Sequence, residues 1–309
     1  MDETNAVMVL DQPTGVLGFT PDILAGVVGQ STIDMYRRDF RAYLRFAGSP
    51  EAAMEAKTLT RWRTYLALDT TLSPNTINRM LSAVKRLMKE AANQGYTTHE
   101  NADQFKHVDG VKVGALRDRT RDHNRTRIEP EDMRRLTESP GTDTLLGLRD
   151  TALLHTFASS GLRNSELATL KQDQIIRRGR GYLVKVRGKN EADYSETNIS
   201  VTAAEAIQAW IEARPVESEY IFTSQDGRGD RWTERHISSV SVWETVKKYA
   251  EQIGLQHVKP HDLRRFTGTQ VAKKDIRKAQ KTLRHKKIET TAKHYVLDEV
   301  EVGLTDNLY

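Results

Sequence analysis

Apolar residues recur at helical spacing along most of this chain, and strict alternation is confined to one short stretch. Ile33, Tyr36, Phe40, Tyr43 and Leu44 fall at the interval that makes one helical face, so a helix is predicted from Ser31 onward. A clearer one opens at Ser73-Pro74, a capping residue followed by proline at the first helical position. It carries Ile77, Met80, Leu81, Val84, Leu87 and Met88 on one side and closes near Gly95. Glu129-Pro130-Glu131 starts another, with carboxylates in the first turn where the helix dipole favours them. Leu145, Leu146, Leu148, Ala152, Leu153, Leu154 and Phe157 supply core side chains to a further helical region. Only Tyr182-Leu183-Val184-Lys185-Val186-Arg187 alternates at period two. Gly188-Lys189-Asn190 turns it and Thr197-Asn198-Ile199-Ser200-Val201 returns, which predicts a hairpin. From Ala203 the pattern is helical again, interrupted near Pro215 and from Gln225 to Asp230. The fold class is mainly α with a small β-sheet.

The polar positions divide this pattern into domains. Residues 1–18 lack periodicity and read as a flexible tail, and 19–113 form a helical domain. Residues 114–128 are an interdomain linker holding Arg117, Arg119, Arg121, Arg125 and Arg127 with almost nothing apolar, and 129–295 form a mixed α/β domain. In the tail 296–309, Val296, Val300 and Leu304 recur at four-residue spacing, an amphipathic stripe suited to its own domain or to a neighbouring protomer. Opposite the apolar face of the helix after Ser73 stand Asn78, Arg79, Ser82, Lys85, Arg86 and Lys89. That face suits a DNA backbone, and equally an ordinary solvated surface. Arg119, Arg121 and Arg125 could follow the same backbone along the linker.

Charge sharpens the picture. The 309 residues carry a net charge of +5, and between Lys259 and Lys293 twelve Lys or Arg face only Asp262, Asp275 and Glu289. Such density suits phosphate, with Arg265 and Arg284 as further contacts, although a lone charge run is more often a solvated surface. Cysteine is absent, which excludes disulfides, thiolate metal sites and cysteine nucleophiles. The nine histidines show no metal-binding spacing, so no metal and no cofactor is expected. No segment reads as a signal peptide or a membrane span, so the expected location is cytoplasmic, without a membrane partner.

The candidate chemistry lies in the C-terminal half. In Gly161-Leu162-Arg163-Asn164-Ser165-Glu166-Leu167 an arginine follows a glycine turn at a helix start, with Glu166 one turn on to hold its guanidinium. In Lys259-Pro260-His261-Asp262-Leu263-Arg264-Arg265, His261 and Arg264 share one helical face and can address one phosphate. His285 and Tyr295 follow in Thr282-Leu283-Arg284-His285 and Thr290-Thr291-Ala292-Lys293-His294-Tyr295. In this order and spacing the chain resembles the tyrosine recombinases, the phage-integrase-type site-specific recombinases. Gly161-Leu162-Arg163 with Glu166-Leu167 looks like the first arginine box and Gly188-Lys189 like the lysine turn. His261 to Arg264 looks like the second box, and Leu283 and His285 with Thr290-Thr291 ahead of Tyr295 like the last. The resemblance covers the chain from about residue 20, because Ser73 to Asn78 resembles the family's core-binding domain. Two positions depart from the pattern: Arg284 stands where glycine is usual, and the interval from His285 to Tyr295 is one residue longer.

The resemblance implies double-stranded DNA as substrate and a homotetramer on two DNA sites. It implies strand cleavage and rejoining through a 3′-phosphotyrosyl link, without metal or ATP. Tyr295 would be the nucleophile and Arg163 and Arg264 the clamps on the non-bridging oxygens. His261 or His285 would handle protons, and Lys189 would protonate the leaving 5′ oxygen, with Lys185 as the fallback. The alternatives are a type IB topoisomerase-like enzyme with the same chemistry and a DNA-binding relative without catalysis. Integration, excision, resolution and inversion are not distinguished.

Overall fold

The computed structural model describes residues 18–119, 127–187, 193–227, 229 and 231–295, with side chains through residue 292. The chain divides into two compact units, 1–123 and 124–309.

The first unit is helical. After a 3-10 turn over Pro21–Leu24 come α1 (Gln30–Ala47), α2 (Pro50–Ala53), α3 (Ala56–Leu68), α4 (Pro74–Asn93) and α5 (His99–Lys106). Sequence periodicity finds α1 and α4, whose stripes are cleanest; α3 and α5 are additional, and Trp62 of α3 is almost fully buried. Helix α4 begins as expected, with Ser73 Oγ accepting from the Thr76 N–H and proline in the first turn. Phe40, Tyr43, Trp62, Ile77, Leu81 and Leu87 meet in one core, where the Tyr43 and Trp62 rings lie 5.1 Å apart.

The second unit contains α6 (Pro130–Glu138), α7 (Leu145–Ser160), α8 (Asn164–Ala168), β1 (Ile175–Arg178), β2 (Gly181–Arg187), β3 (Tyr194–Ile199), α9 (Val201–Ala213), β4 (Thr223–Gln225), β5 (Trp232–His236), α10 (Ser239–Gln252), α11 (Pro260–Ala272), α12 (Ile276–Leu283) and α13 (Ile288–Tyr295). Strands β1, β2 and β3 form an antiparallel sheet in that order, and the expected hairpin is its β2–β3 pair, with Val184 opposite Thr197 and Lys185 opposite Glu196. Val184, Val186, Thr197 and Ile199 face the core, as period-two alternation requires. The return strand begins at Tyr194, and its last residue, Ile199, precedes the Ser200 cap of α9.

Two expectations are corrected. The interruption that opens at Gln225 does not merely break a helix: Gln225 pairs with Trp232 in a second antiparallel pair, β4–β5. Strand β1 supplies a third strand that Ile175 and Ile176, two apolar residues without alternation, do not announce. Among the described residues no helix is long and apolar enough to cross a membrane.

One buried polar network ties α7 to α10 and β4. Arg149 donates from Nε (2.9 Å) and Nη2 (2.7 Å) to Asp150 Oδ1 and from Nη1 to the Thr223 carbonyl (3.3 Å), with the Trp232 ring 5.3 Å away. Tyr249 donates its hydroxyl to the other oxygen of Asp150 at 3.1 Å. Arg149 and Asp150 are both buried, so each needs the other. Asp150→Ala is therefore expected to cost about 3–5 kcal/mol by leaving the Arg149 charge unpaired. Tyr249→Phe is expected to cost only about 1 kcal/mol. Urea unfolding of the two full-length variants beside wild type checks both values.

Candidate active site and nucleic-acid interface

Three segments distant in sequence converge on the Arg264 guanidinium. Arg264 sits in the second turn of α11, after Lys259 as cap and Pro260 in the first turn, and is 4% exposed. Its Nη1 donates to the carbonyl of Gly161 and its Nη2 to the carbonyl of Leu283 at 2.7 Å. Gly161 ends α7 in the left-handed conformation (φ +62°), and a Cβ there would lie 3.2 Å from Leu283 Cδ2, so glycine answers both torsion and space. Leu283 ends α12. The guanidinium thus joins the residues just before Arg163 to those just before His285.

Thr197 of β3 reinforces the junction. Its hydroxyl lies 2.8 Å from the Ser160 carbonyl and 3.1 Å from the Thr282 carbonyl, orphan acceptors at the ends of α7 and α12. Strand β3 is thereby anchored to the same two helix ends. Lys189 itself lies outside the described residues, and Lys185, the fallback, is exposed on β2.

Arg163 is the cap residue of α8. Glu166, one turn on, accepts the Arg163 backbone N–H on Oε2 (2.7 Å) and Arg163 Nη1 on Oε1 (2.7 Å). Arg163 keeps 42% of its side chain exposed, whereas Glu166 is nearly buried. Burial works against the ionised Glu166 carboxylate, but the Arg284 charge and the Arg163 donors outweigh it and hold the group below its ordinary value of 4.5.

His285 follows the end of α12. Its Nδ1 lies 2.9 Å from the Thr291 hydroxyl and its Nε2 lies 3.5 Å from Arg264 Nη2. A guanidinium can only donate, so this contact is a hydrogen bond only when Nε2 carries no proton. His261 is exposed in the first turn of α11. Tyr295 is the last residue of α13. Tyr249, by contrast, keeps its hydroxyl on Asp150 in the core. Among the described residues no cluster of His, Asp and Glu suited to a metal ion occurs.

The expected DNA-contacting residues divide. Asn78 binds both sides of the Val111 peptide unit, donating to its carbonyl (2.9 Å) and accepting its N–H (2.7 Å). A Cβ on the preceding Gly110 would lie 2.6 Å from Asn78 Oδ1, so that close approach needs glycine. Arg79 pairs with buried Asp39, and Lys85 donates to the Val108 carbonyl. These three positions on α4 hold the first unit together internally. Ser82, Arg86 and Lys89 instead line, with Lys85, a cavity of about 780 Å³ between α4 and α5. Arg265 pairs with Asp262 at 3.1 Å. Arg119 lies 4.0 Å from Asp118, and Arg121 and Arg125 lie outside the described residues. Arg284, expected on the DNA-contacting surface, is instead buried against Glu166. Sequence reading also passed over Thr197, because a threonine on a strand carries no signal until its acceptors are in place, whereas Thr291, which meets His285, lies in the last motif.

The comparisons with known proteins agree with this architecture. Residues 126–301 match the model of the phage integrase family, and residues 23–95 match that of its N-terminal SAM-like domain. The chain is 31% identical to tyrosine recombinase XerC of Azotobacter vinelandii over 88% of this chain and 87% of the relative. It is 28% identical to tyrosine recombinase XerD of Neisseria meningitidis serogroup B over 77% and 92%. In fold it is similar to the XerH site-specific recombinase bound to its palindromic difH substrate in a post-cleavage complex. That likeness has a TM-score of 0.68 at 17% identity and covers 90% of this chain and 79% of that one. Two matched domains, the first of which covers more than half of the chain, together with this identity, establish that the chain belongs to the phage integrase family of tyrosine recombinases.

Proposed function

We propose that this protein is a site-specific DNA recombinase that cleaves and rejoins strands through a 3′-phosphotyrosyl intermediate. The observation that carries this reading is the convergence of Arg163, Arg264 and His285 through the two carbonyl bonds of Arg264. Tyr295 Oη attacks the phosphorus, and the bond to the 5′ oxygen breaks as the new P–O bond forms. The phenolic proton passes to His261 or His285, because a phenol near pKa 10 is a poor nucleophile unless a base takes its proton. Lys189 gives the departing 5′ oxygen a proton. Arg163 and Arg264 stabilise the charge that grows on the non-bridging oxygens. A 5′ hydroxyl of a second strand reverses these steps and conserves the bond energy, so neither ATP nor metal is called for.

The relatives' names support recombination as the outcome. The reading extends to a homotetramer on two DNA sites, with the 296–309 tail docking on a neighbouring protomer, and to a cytoplasmic protein that moves, integrates or resolves DNA elements. Ser82, Arg86 and Lys89, lining the α4–α5 cavity, are the positions of the first unit that we assign to the DNA backbone.

Two measurements test the reading. Incubation with DNA flanking its own gene, without added metal, is expected to give a protein–DNA adduct on a denaturing gel with wild type and none with Tyr295→Phe. An adduct that persists in the variant moves the nucleophile to another tyrosine, and no adduct on DNA shown to be bound removes the catalytic reading. The second concerns Glu166, whose depressed carboxylate contributes stability that is present above its unfolded value and lost as pH falls through its folded value. Below about pH 4.5 wild type should therefore lose stability more steeply than Glu166→Gln, read as urea midpoints from about pH 7 down to about pH 3.

A further inference from the structure

Arg284 occupies a backbone position that favours glycine. It caps the C-terminus of α12 at φ 55° and ψ 45°, and among the described residues only it and His257 are non-glycine residues with positive φ. A side chain is kept there at a conformational cost, which calls for a compensating contact. That contact is Glu166: Arg284 Nη2 donates to Oε2, and the Arg284 side chain is 5% exposed.

Glu166 is the carboxylate that also binds Arg163 twice, through the backbone N–H and through Nη1. With Arg163 alone, one carboxylate would neutralise one guanidinium, and the pair would present no net charge to a phosphate. With Arg284 added, the same carboxylate is shared between two guanidinium groups, and the triad keeps one positive charge. Arg264 and Arg163 both act on Arg284: burial lowers its pKa most, Glu166 opposes this, and the two arginines lower it further. Arg284 therefore lies within the field of both phosphate-clamp candidates. Its Nε and Nη1 are buried and have no hydrogen-bond partner. Such a cost is tolerated where the charge serves something other than local stability.

We propose that Arg284 is a positioning residue which, through Glu166, holds the Arg163 guanidinium in its phosphate-binding orientation and preserves its net positive charge. The inference rests on the recombinase reading above. Arg284 acts on the reaction through the carboxylate and does not itself touch the substrate. Glycine at this position would satisfy the backbone and remove the clamp. Lysine would keep the charge but lose the planar fork that fits a carboxylate.

The experiment measures single-turnover adduct formation by the full chain on a nicked duplex containing the sequence that wild type cleaves, at saturating DNA. DNA affinity by gel shift and thermal midpoint are measured in parallel. Arg284→Gly is expected to lower the cleavage rate at least tenfold, with affinity within about threefold of wild type and a midpoint no lower. Arg284→Lys should fall between the two. Glu166→Gln should also slow cleavage, and adding Arg284→Gly to it should cause less than a further twofold loss, because both act through one contact. Losses that multiply, an Arg284→Gly variant as fast as wild type, or a defect lying wholly in affinity would each overturn the proposal while leaving the recombinase reading intact. If wild type itself forms no adduct on bound DNA, the recombinase reading fails and this inference fails with it.

Discussion

The bonds from the Arg264 guanidinium to the Gly161 and Leu283 carbonyls are the interaction on which the second unit's candidate site depends. Helix ends leave carbonyls without partners, and a buried end must find donors for them. Here a single planar group satisfies two such ends, and in doing so brings together chain segments more than one hundred residues apart. One residue earlier in each helix, the carbonyls of Ser160 and Thr282 both lie within reach of the single Thr197 hydroxyl proton, at 2.8 and 3.1 Å. A side chain often read only as a phosphate ligand is thus also part of the framework. The strength of a buried guanidinium bound to carbonyls lies in its fixed geometry, which a flexible ammonium group does not supply.

Around that junction the electrostatics are uneven by construction. Arg163 remains half exposed, whereas Arg264 and the Glu166–Arg284 pair are buried. The exposed guanidinium can meet a ligand while the buried groups hold it in place. Burial alone would favour a protonated Glu166, and its neighbours keep it ionised. A second buried ion pair, Arg149 with Asp150, has a different character. It is buried, closed by Tyr249 and the Thr223 carbonyl, and ties α7 to α10 and β4.

The first unit shows the same division between surface chemistry and internal support. On α4, Asn78, Arg79 and Lys85 look on paper like members of one polar face with Ser82, Arg86 and Lys89. Contacts with Asp39, Val108 and Val111 take the first three into the fold, because partners from α1 and from the chain after α5 reach that side of the helix. Helical periodicity separates apolar from polar positions and is silent on which polar positions find a partner inside the molecule.

What the sequence determined by itself was set by local physics. Caps and prolines located α4, α6 and α11, period two located the β2–β3 pair, and the order of the motifs pointed to the family. The Glu166 contact with Arg163 was also legible, because three residues on a helix span one turn. The tertiary structure alone decided the rest. Strand β1 and the β4–β5 pair are too short to show a period, and their existence depends on neighbours supplied by the fold. Thr197 has meaning only once two helix ends meet at its hydroxyl. Arg284, which in the sequence is one more cation in a basic run, turns inward because a left-handed backbone at the end of α12 and a carboxylate 118 residues earlier in the chain come together. Local spacing fixes which side chains share a face, but long-range closure decides which of them are buried, and burial is what makes a charge in this site structural or available to a ligand.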